Sequence, residues 1–451
     1  MRLVARFARE QKKYFEIITV YDSKISKERV NKKTPALISI AKEYPSAVWF
    51  ERKITDDFGI EILYSNDRRT LIHQEHFPKD SYPMRKEYER DFEVQRQATT
   101  STVKKYQGEV IGPIQAYHLD AATFQIFTQN KEIIHFDVMA FYKYRAIEKM
   151  LEGLSFEEAK PMVERIYGAS SIAYQIAFLD IQMQASKRQL PDIIKQRHMF
   201  LLELERVIAH LDDLSVMANF GNFPEGSFFL MKLLESSKEL MKIITGHRFG
   251  FGAIGTENMP IEVDAVYDCI FHLEEEIKWF SKWLLTKSSL WKQFKGVGMV
   301  SKEIVESFGL VGLMARSKNI DLDRRKESKL YTENGFFIST EQEGDSASRF
   351  KIRLDEIEIS LKMMKELLDN KMFPFFLGTP IDGEYYAYLE GSAGEIMMYI
   401  ALDEGKISRF YLRDPSFLNA QASMEILKKN KISNLGLILK SIPLSFAAND
   451  L

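Results

Sequence analysis
The chain has 451 residues, 45% hydrophobic and 28% charged, a composition ordinary for a globular protein with room for two or three domains. Its 62 Lys and Arg nearly balance 64 Asp and Glu, giving a formal charge of −2, so no overall basic field argues for nucleic acid. One cysteine, Cys269, excludes an intramolecular disulfide, a Cys-x-x-Cys metal knuckle and a cluster held by several thiolates of this chain. There is no secretory apolar segment and no uninterrupted apolar run of about 18 residues, so the expected compartment is reducing and cytoplasmic, with no membrane span of the chain's own.

Residues 1–92 read as a small α/β unit whose first 33 residues carry a solvated basic face. Val48-Trp49-Phe50-Glu51-Arg52 and Glu61-Ile62-Leu63-Tyr64 have strand character, with Gly59 between them. Residues 93–106 are polar and rich in Thr and Ser, as a linker would be. A second domain, 107–451, opens with a hairpin of Thr123–Phe127 and Ile133–Val138. Helices follow at Phe156–Gln184, Asp192–Phe220, Ser227–Gly246, Ile261–Lys287, Ser301–Phe308 and Phe350–Asn370. The second is apolar on more than one face, which predicts burial among other helices. Pro191-Asp192 starts it, and Gly221 with Pro224 stops it. Cys269 sits in the apolar run Tyr267–Phe271 and is expected to be a buried, inert thiol. Residues 317–348 are polar and read as a long surface loop. Three strands close the chain, Tyr385–Leu389, Glu395–Leu402 and Ser408–Leu412. The expected class is α+β: a small N-terminal α/β domain, then a mainly helical bundle with β pieces at its ends.

Two stretches stand out. Glu164-Arg165-Ile166-Tyr167-Gly168-Ala169-Ser170-Ser171 lies near the middle, and Arg413-Asp414-Pro415-Ser416-Phe417-Leu418-Asn419 near the end. They resemble the Cys-x-x-Cys and Asp-Pro-Cys-x-x-Cys motifs of nickel–iron hydrogenase large subunits, with Tyr167, Ser170, Ser416 and Asn419 at the four thiolate positions. Further stretches resemble the same family in order: Gly112-Pro113-Ile114-Gln115, Tyr144-Arg145-Ala146-Ile147-Glu148-Lys149, Glu203-Leu204-Glu205-Arg206-Val207-Ile208-Ala209-His210, Thr245-Gly246-His247-Arg248, and Gly309 to Ser317 with Asp321 and Arg324-Arg325. Gln115 and Tyr144 stand where the family has histidine. The N-terminal unit, through Trp49-Phe50-Glu51-Arg52-Lys53-Ile54-Thr55-Asp56-Asp57-Phe58-Gly59 and Tyr82-Pro83-Met84-Arg85-Lys86, resembles the smaller hydrophilic subunit of complex I. The whole is similar to the fused large subunits of group 4 nickel–iron hydrogenases and to the quinone-side subunit of complex I.

A nickel–iron centre needs four soft thiolates, which these four residues do not supply. The resemblance therefore implies a subunit of a membrane-attached complex without a metal site of its own. It would sit between an iron–sulfur partner subunit and antiporter-like, ion-translocating membrane subunits. Two functions are compatible with it. In the first, an NAD(P)H/quinone-type oxidoreductase, electrons from the partner's iron–sulfur cluster reduce a quinone-like acceptor near Tyr167, Gln115 and His118. Tyrosine and histidine are proton donors with adjustable pKa, whereas Gln115 donates only a hydrogen bond. In the second, the pocket is filled and the chain is a redox-silent coupling subunit. Glu148 matches a proton-carrying glutamate, or forms an ion pair with Lys149, Arg145 or the Glu164–Arg165 segment. Glu205, Arg206, His210 and Asp213 place charge on an apolar helix, either as a structural network or as part of a proton path. Gly250, Gly252 and Gly255 form a Gly-x-Gly-x-x-Gly string, but it follows no βαβ strand and carries no nucleotide expectation.

Overall fold
The computed structural model describes residues 1–73, 77–78, 80–88, 108–114, 120–255, 262–368 and 375–451. The expected linker 93–106 and the candidate residues Gln115 and His118 lie outside them. The elements run β1 (Leu3–Glu10), β2 (Tyr14–Tyr21), β3 (Ile25–Asn31), β4 (Ala36–Ile38), α1 (Ala47–Phe58), β5 (Glu61–Leu63), β6 (Glu109–Ile111), β7 (Thr123–Gln129) and β8 (Glu132–Met139). Helices follow: α2 (Ile147–Met150), α3 (Phe156–Val163), α4 (Ser171–Ala185), α5 (Asp192–Phe220), α6 (Pro224–Thr245), α7 (Val263–Leu285), α8 (Ser288–Phe294), α9 (Lys302–Phe308), α10 (Gly312–Arg316), α11 (Lys329–Glu333) and α12 (Ser346–Glu366). The chain ends with β9 (Gly383–Glu390), β10 (Glu395–Asp403), β11 (Lys406–Arg413), α13 (Ser416–Ile426) and α14 (Leu435–Ser441).

Antiparallel sheets β1-β2-β3, β6-β7-β8 and β9-β10-β11 surround the helices, and β4 pairs with β5 in parallel. The first and last sheets meet through aromatic rings. Phe7 stacks on Tyr411 at 4.1 Å between centroids and lies 4.9 Å from Tyr399, and beside them Trp49 of α1 packs edge-on against Phe417 of α13 at 5.6 Å. One apolar core thus joins Leu3, Phe7, Ile18 and Trp49 to Met397, Tyr399 and Phe417. A second, larger core is built around α4, α5, α6 and α12. Helix α5 is its axis, touching α4, α6, α12 and α14, which explains why its sequence is apolar on several faces.

The hairpin β7–β8 and the last three strands fall where the sequence reading placed them, and α5 spans the expected residues. Residues 48–52 are helical rather than extended. Phe50, Ile54 and Phe58 recur every four residues on the buried face of α1, and Gly59, at φ 69°, ends it in a left-handed cap. The expected helix 156–184 is broken by a 3-10 turn at Gly168–Ser170. The polar segment 317–348 is not a surface loop throughout. Ser317, Asp323, Arg325 and Asp345 are buried, because each is paired inside the helical core. Cys269 is exposed rather than buried, since Val266, Ile270 and Leu273 take the inward face of α7.

Candidate functional site
The two hydrogenase-like stretches are brought together by one turn and one strand end. Tyr167 is extended, the 3-10 turn carries Ser170, and α4 starts at Ser171. Across from it β11 ends at Arg413, and Asp414-Pro415 turns into α13. The buried Tyr174 hydroxyl donates to Asp414 Oδ2 at 2.7 Å and fastens one stretch to the other. Asp414 Oδ1 accepts the Ser416 N–H at 2.9 Å and also receives the Ser416 hydroxyl.

The four residues expected to stand at thiolate positions, Tyr167, Ser170, Ser416 and Asn419, have divided roles. Asn419 Nδ2 donates to the Pro443 carbonyl at 2.9 Å, and Ser416 Oγ lies 3.0 Å from the Ser445 carbonyl. Asn449 donates a hydrogen bond to Ser416 Oγ at 3.1 Å. These two positions therefore anchor the C-terminal segment. Tyr167 and Ser170 instead face a cavity of about 410 Å³, whose wall also includes Ser416, Glu205, His210 and Phe249. Ile208, Met241 and Leu444 add apolar surface, and Lys238 and Arg248 add positive charge. Asn419 is thus engaged by the C-terminal segment, whereas Tyr167 lines the cavity.

The donor set is wrong for nickel and iron. Two hydroxyls, a phenol and an amide are not soft thiolate donors, and two of them are spent on the C-terminal segment. Among the described residues, no group of three or more His, Cys, Asp or Glu is placed to hold a metal ion.

The charges of α5 serve different ends. Glu205 accepts the N–H groups of Ile172 at 2.6 Å and Ala173 at 3.1 Å, supplying the cap that the first turn of α4 needs. Burial outweighs those donors and pushes the Glu205 carboxyl up to about 8. Arg206 binds Glu203 at 3.1 Å and the carbonyls of Glu390 and Gly391 at 2.8 Å each. His210 Nε2 lies 2.8 Å from Glu356, and burial lowers its pKa. Asp213 receives Arg353 at 2.8 Å. The Tyr167 hydroxyl, buried and near Asp213, is held well above the ordinary phenol range.

Glu148 lies elsewhere. Its carboxylate meets Arg409 of β11 at 2.7 Å and Lys53 of α1 at 3.4 Å. Neither Lys149, Arg145 nor the Glu164–Arg165 segment is its partner, contrary to the expectation. Lys149 turns to the Arg85 carbonyl and Glu152, and Arg145 to carbonyls of Ile166 and Ala447. Glu148 is fully buried at the seam between the N-terminal segment and the last sheet. Sequence reasoning named Glu203 only within its motif and passed over Glu356 and Glu390; the three complete the charge around α5. Only Glu203 had a local signal, three residues before Arg206 on one helix face.

Comparison with known proteins agrees with this architecture. Residues 3–94 match the family "Respiratory-chain NADH dehydrogenase, 30 Kd subunit", and residues 226–374 and 377–450 match "Respiratory-chain NADH dehydrogenase, 49 Kd subunit". Formate hydrogenlyase subunit 5 of Escherichia coli (strain K12) is 26% identical over 93% of this chain and 78% of its own length. The C/D subunit of NADH-quinone oxidoreductase from Phocaeicola vulgatus is 24% identical over 83% of this chain and 79% of its own. A chain in the structure of the membrane-bound sulfane sulfur reductase, an archaeal respiratory membrane complex, superposes with a TM-score of 0.70 at 19% identity, covering 76% of this chain and 98% of that one. The protein joins in one polypeptide a member of the 30 Kd and a member of the 49 Kd subunit families of the respiratory-chain NADH dehydrogenase, as a group 4 hydrogenase-like fusion does.

Proposed function
We propose that this chain is the quinone-side subunit of a membrane-associated, complex I-like or hydrogenase-like assembly, and that its cavity takes a quinone-like acceptor in place of a metal centre. Relatives named for formate hydrogenlyase and NADH-quinone oxidoreductase support the assembly. Among the described residues no helix is long and apolar enough to cross a membrane, so attachment is assigned to antiporter-like membrane partners at the cytoplasmic face. With one cysteine in the chain, electrons are assigned to an iron–sulfur cluster on a partner subunit.

The observation that carries the acceptor reading is the open cavity at Tyr167. Its volume, about 410 Å³, lies in the range of small-molecule sites, and its wall combines apolar surface with a few polar groups. The raised Tyr167 keeps its hydroxyl protonated at neutral pH, so it donates a hydrogen bond to a headgroup oxygen. Glu205, at about 8, is protonated at neutral pH and is the second donor. Gln115 and His118 remain in the proposal as further headgroup partners. The test is purification of the native membrane complex, followed by metal and quinone analysis and by titration with a short-chain quinone. Bound quinone, weakened by Tyr167→Phe, supports the reading, and stoichiometric nickel overturns it.

A redox-silent coupling role is the second reading. The use of Ser416 and Asn419 to anchor the C-terminal segment favours it. A complex with neither quinone nor an iron–sulfur partner would select it.

A further inference from the structure
The polar groups on the wall of the cavity at Tyr167 divide into those already bonded and those left free. Asp414 is held by Tyr174 and Ser416, Asp213 receives Arg353, and His210 faces Glu356. Glu205 accepts the N–H groups that open α4. Tyr167, Ser170, Asp212 and Lys238 also line the cavity, and among the described residues none of their side chains has a hydrogen-bond or ion-pair partner.

The two basic side chains on the wall, Lys238 and Arg248, differ in what they face. Arg248 reaches back over α6 to Glu235 at 2.7 and 2.8 Å and to Glu239 at 2.6 Å, so its charge is met. Glu235 stands three residues before Lys238, the spacing at which a lysine on a helix ordinarily finds its carboxylate. Arg248 takes that carboxylate, and Lys242 adds a bond to Glu239 at 3.4 Å. Asp212 and Glu235 act on Lys238 only from beyond ion-pair distance. Lys238 is half-buried, and Met241, one turn further along the same face of α6, is buried and lines the cavity too. The lysine thus lies on the cavity side of α6 with its ammonium free.

The rest of the wall is acidic. Burial holds the Tyr167 hydroxyl protonated, and Asp213, Asp120, Asp414 and Asp212 all lie close enough to add to that effect. An acceptor that gains electrons here builds negative charge on its oxygens against that field. Such charge is met best by a group that is already in place and not neutralised elsewhere. Among the described residues, Lys238 is the cation on this wall with that property.

We infer that Lys238 donates to the acceptor oxygen that becomes negative on reduction, and so favours the anionic, reduced forms of the acceptor over the oxidised one. The inference rests on the acceptor reading above and narrows it to a ring acceptor with two oxygens, one bonded by Tyr167 and the other by Lys238. The quinone takes two electrons from the partner's iron–sulfur cluster and two protons from water at the cavity mouth, and leaves as quinol. Lys238 keeps its own proton throughout. Because its charge acts on the reduced forms and little on the neutral quinone, it contributes to kcat rather than to KM.

The test uses the native membrane complex, a short-chain quinone as substrate and two inhibitors as probes. One is a hydroxynaphthoquinone, an anion at neutral pH, and the other is its neutral methyl ether. Lys238→Met is expected to lower turnover roughly 10- to 100-fold with KM changed less than about twofold, and to lower the preference for the anionic probe by a similar factor. Lys238→Gln, which keeps a hydrogen-bond donor without the charge, behaves as Lys238→Met and guards against a failure of that variant to assemble. Lys238→Arg keeps most of the rate and the preference. Full turnover in Lys238→Gln with the anion preference intact overturns the inference. Equal loss of both probes also overturns it, since that marks a lysine with a structural role alone. A wild-type complex that binds neither quinone nor probe sinks the acceptor reading and the role of Lys238 together, whereas a working wild type beside an unaffected Lys238→Met sinks the role of Lys238 alone.

Discussion

The Tyr174 hydroxyl donates to Asp414 Oδ2 at 2.7 Å, so the helix after one hydrogenase-like stretch is bolted to the turn that starts the other. Both groups are buried, at 0% and 3% exposure, and the bond spans 240 residues of sequence. The bond holds the two hydrogenase-like stretches together without a metal between them. Tyr174→Phe leaves a buried carboxylate oxygen without its donor. The expected cost is about 1–3 kcal/mol, read as a lower urea midpoint with an unchanged m-value.

Glu205 makes stability pH-dependent in a defined direction. Its folded pKa, about 8, lies above the ordinary carboxyl value of 4.5, so between those limits the folded state keeps a proton that the unfolded state has released. Stability therefore falls as pH rises through this window and levels off above it. One such group contributes a slope of roughly 1.4 kcal/mol per pH unit. Glu205→Gln keeps a carbonyl oxygen for one of the two N–H groups, loses the acceptor of the other, and removes that slope. Unfolding free energies at pH 5.5 and 7.5 check it; equal slopes in the two proteins would show that Glu205 is ionised when folded.

Glu148 is expected to be a structural clasp. It compensates Arg409 and Lys53 at once, and Lys53 is further paired with Asp57 at 2.7 Å. Glu148→Ala leaves buried Arg409 without its carboxylate while Lys53 keeps Asp57, for an expected loss of roughly 3–5 kcal/mol. Hydrogen exchange locates the effect: amides of α1 and β11 should lose protection first.

Asn419→Ala removes the side-chain donor that the Pro443 carbonyl receives. The expected cost is about 1–3 kcal/mol, with faster proteolysis of the segment after residue 443. Cys269, exposed on α7, should react with a thiol reagent in the native protein, and mass spectrometry of the labelled peptide reads this directly.

Much of the frame was legible because it is local. Pro191, Asp192 and Gly221 bound α5, and strand-like runs between turn residues mark β7, β8, β9, β10 and β11. The aromatic, β-branched start of α1 hid a four-residue apolar period behind a strand-like composition. The motif order gave the family. The partners of the buried charges were not legible, because they come from distant segments: Glu356 reaches His210 across 146 residues, and Arg409 reaches Glu148 across 261. Nor does any spacing tell that Asn419 is spent on a carbonyl while Tyr167, at an equivalent position, opens on a cavity. That division depends on where the C-terminal segment folds back.

The cavity at Tyr167 is the centre of the account. A photoreactive short-chain quinone added to the native membrane complex, followed by peptide mapping and nickel analysis, tests it most directly. The account predicts labelling on 167–170 or around Phe249, competed by unlabelled quinone, with no nickel. Labelling confined to other segments, or nickel in stoichiometric amount, would contradict it.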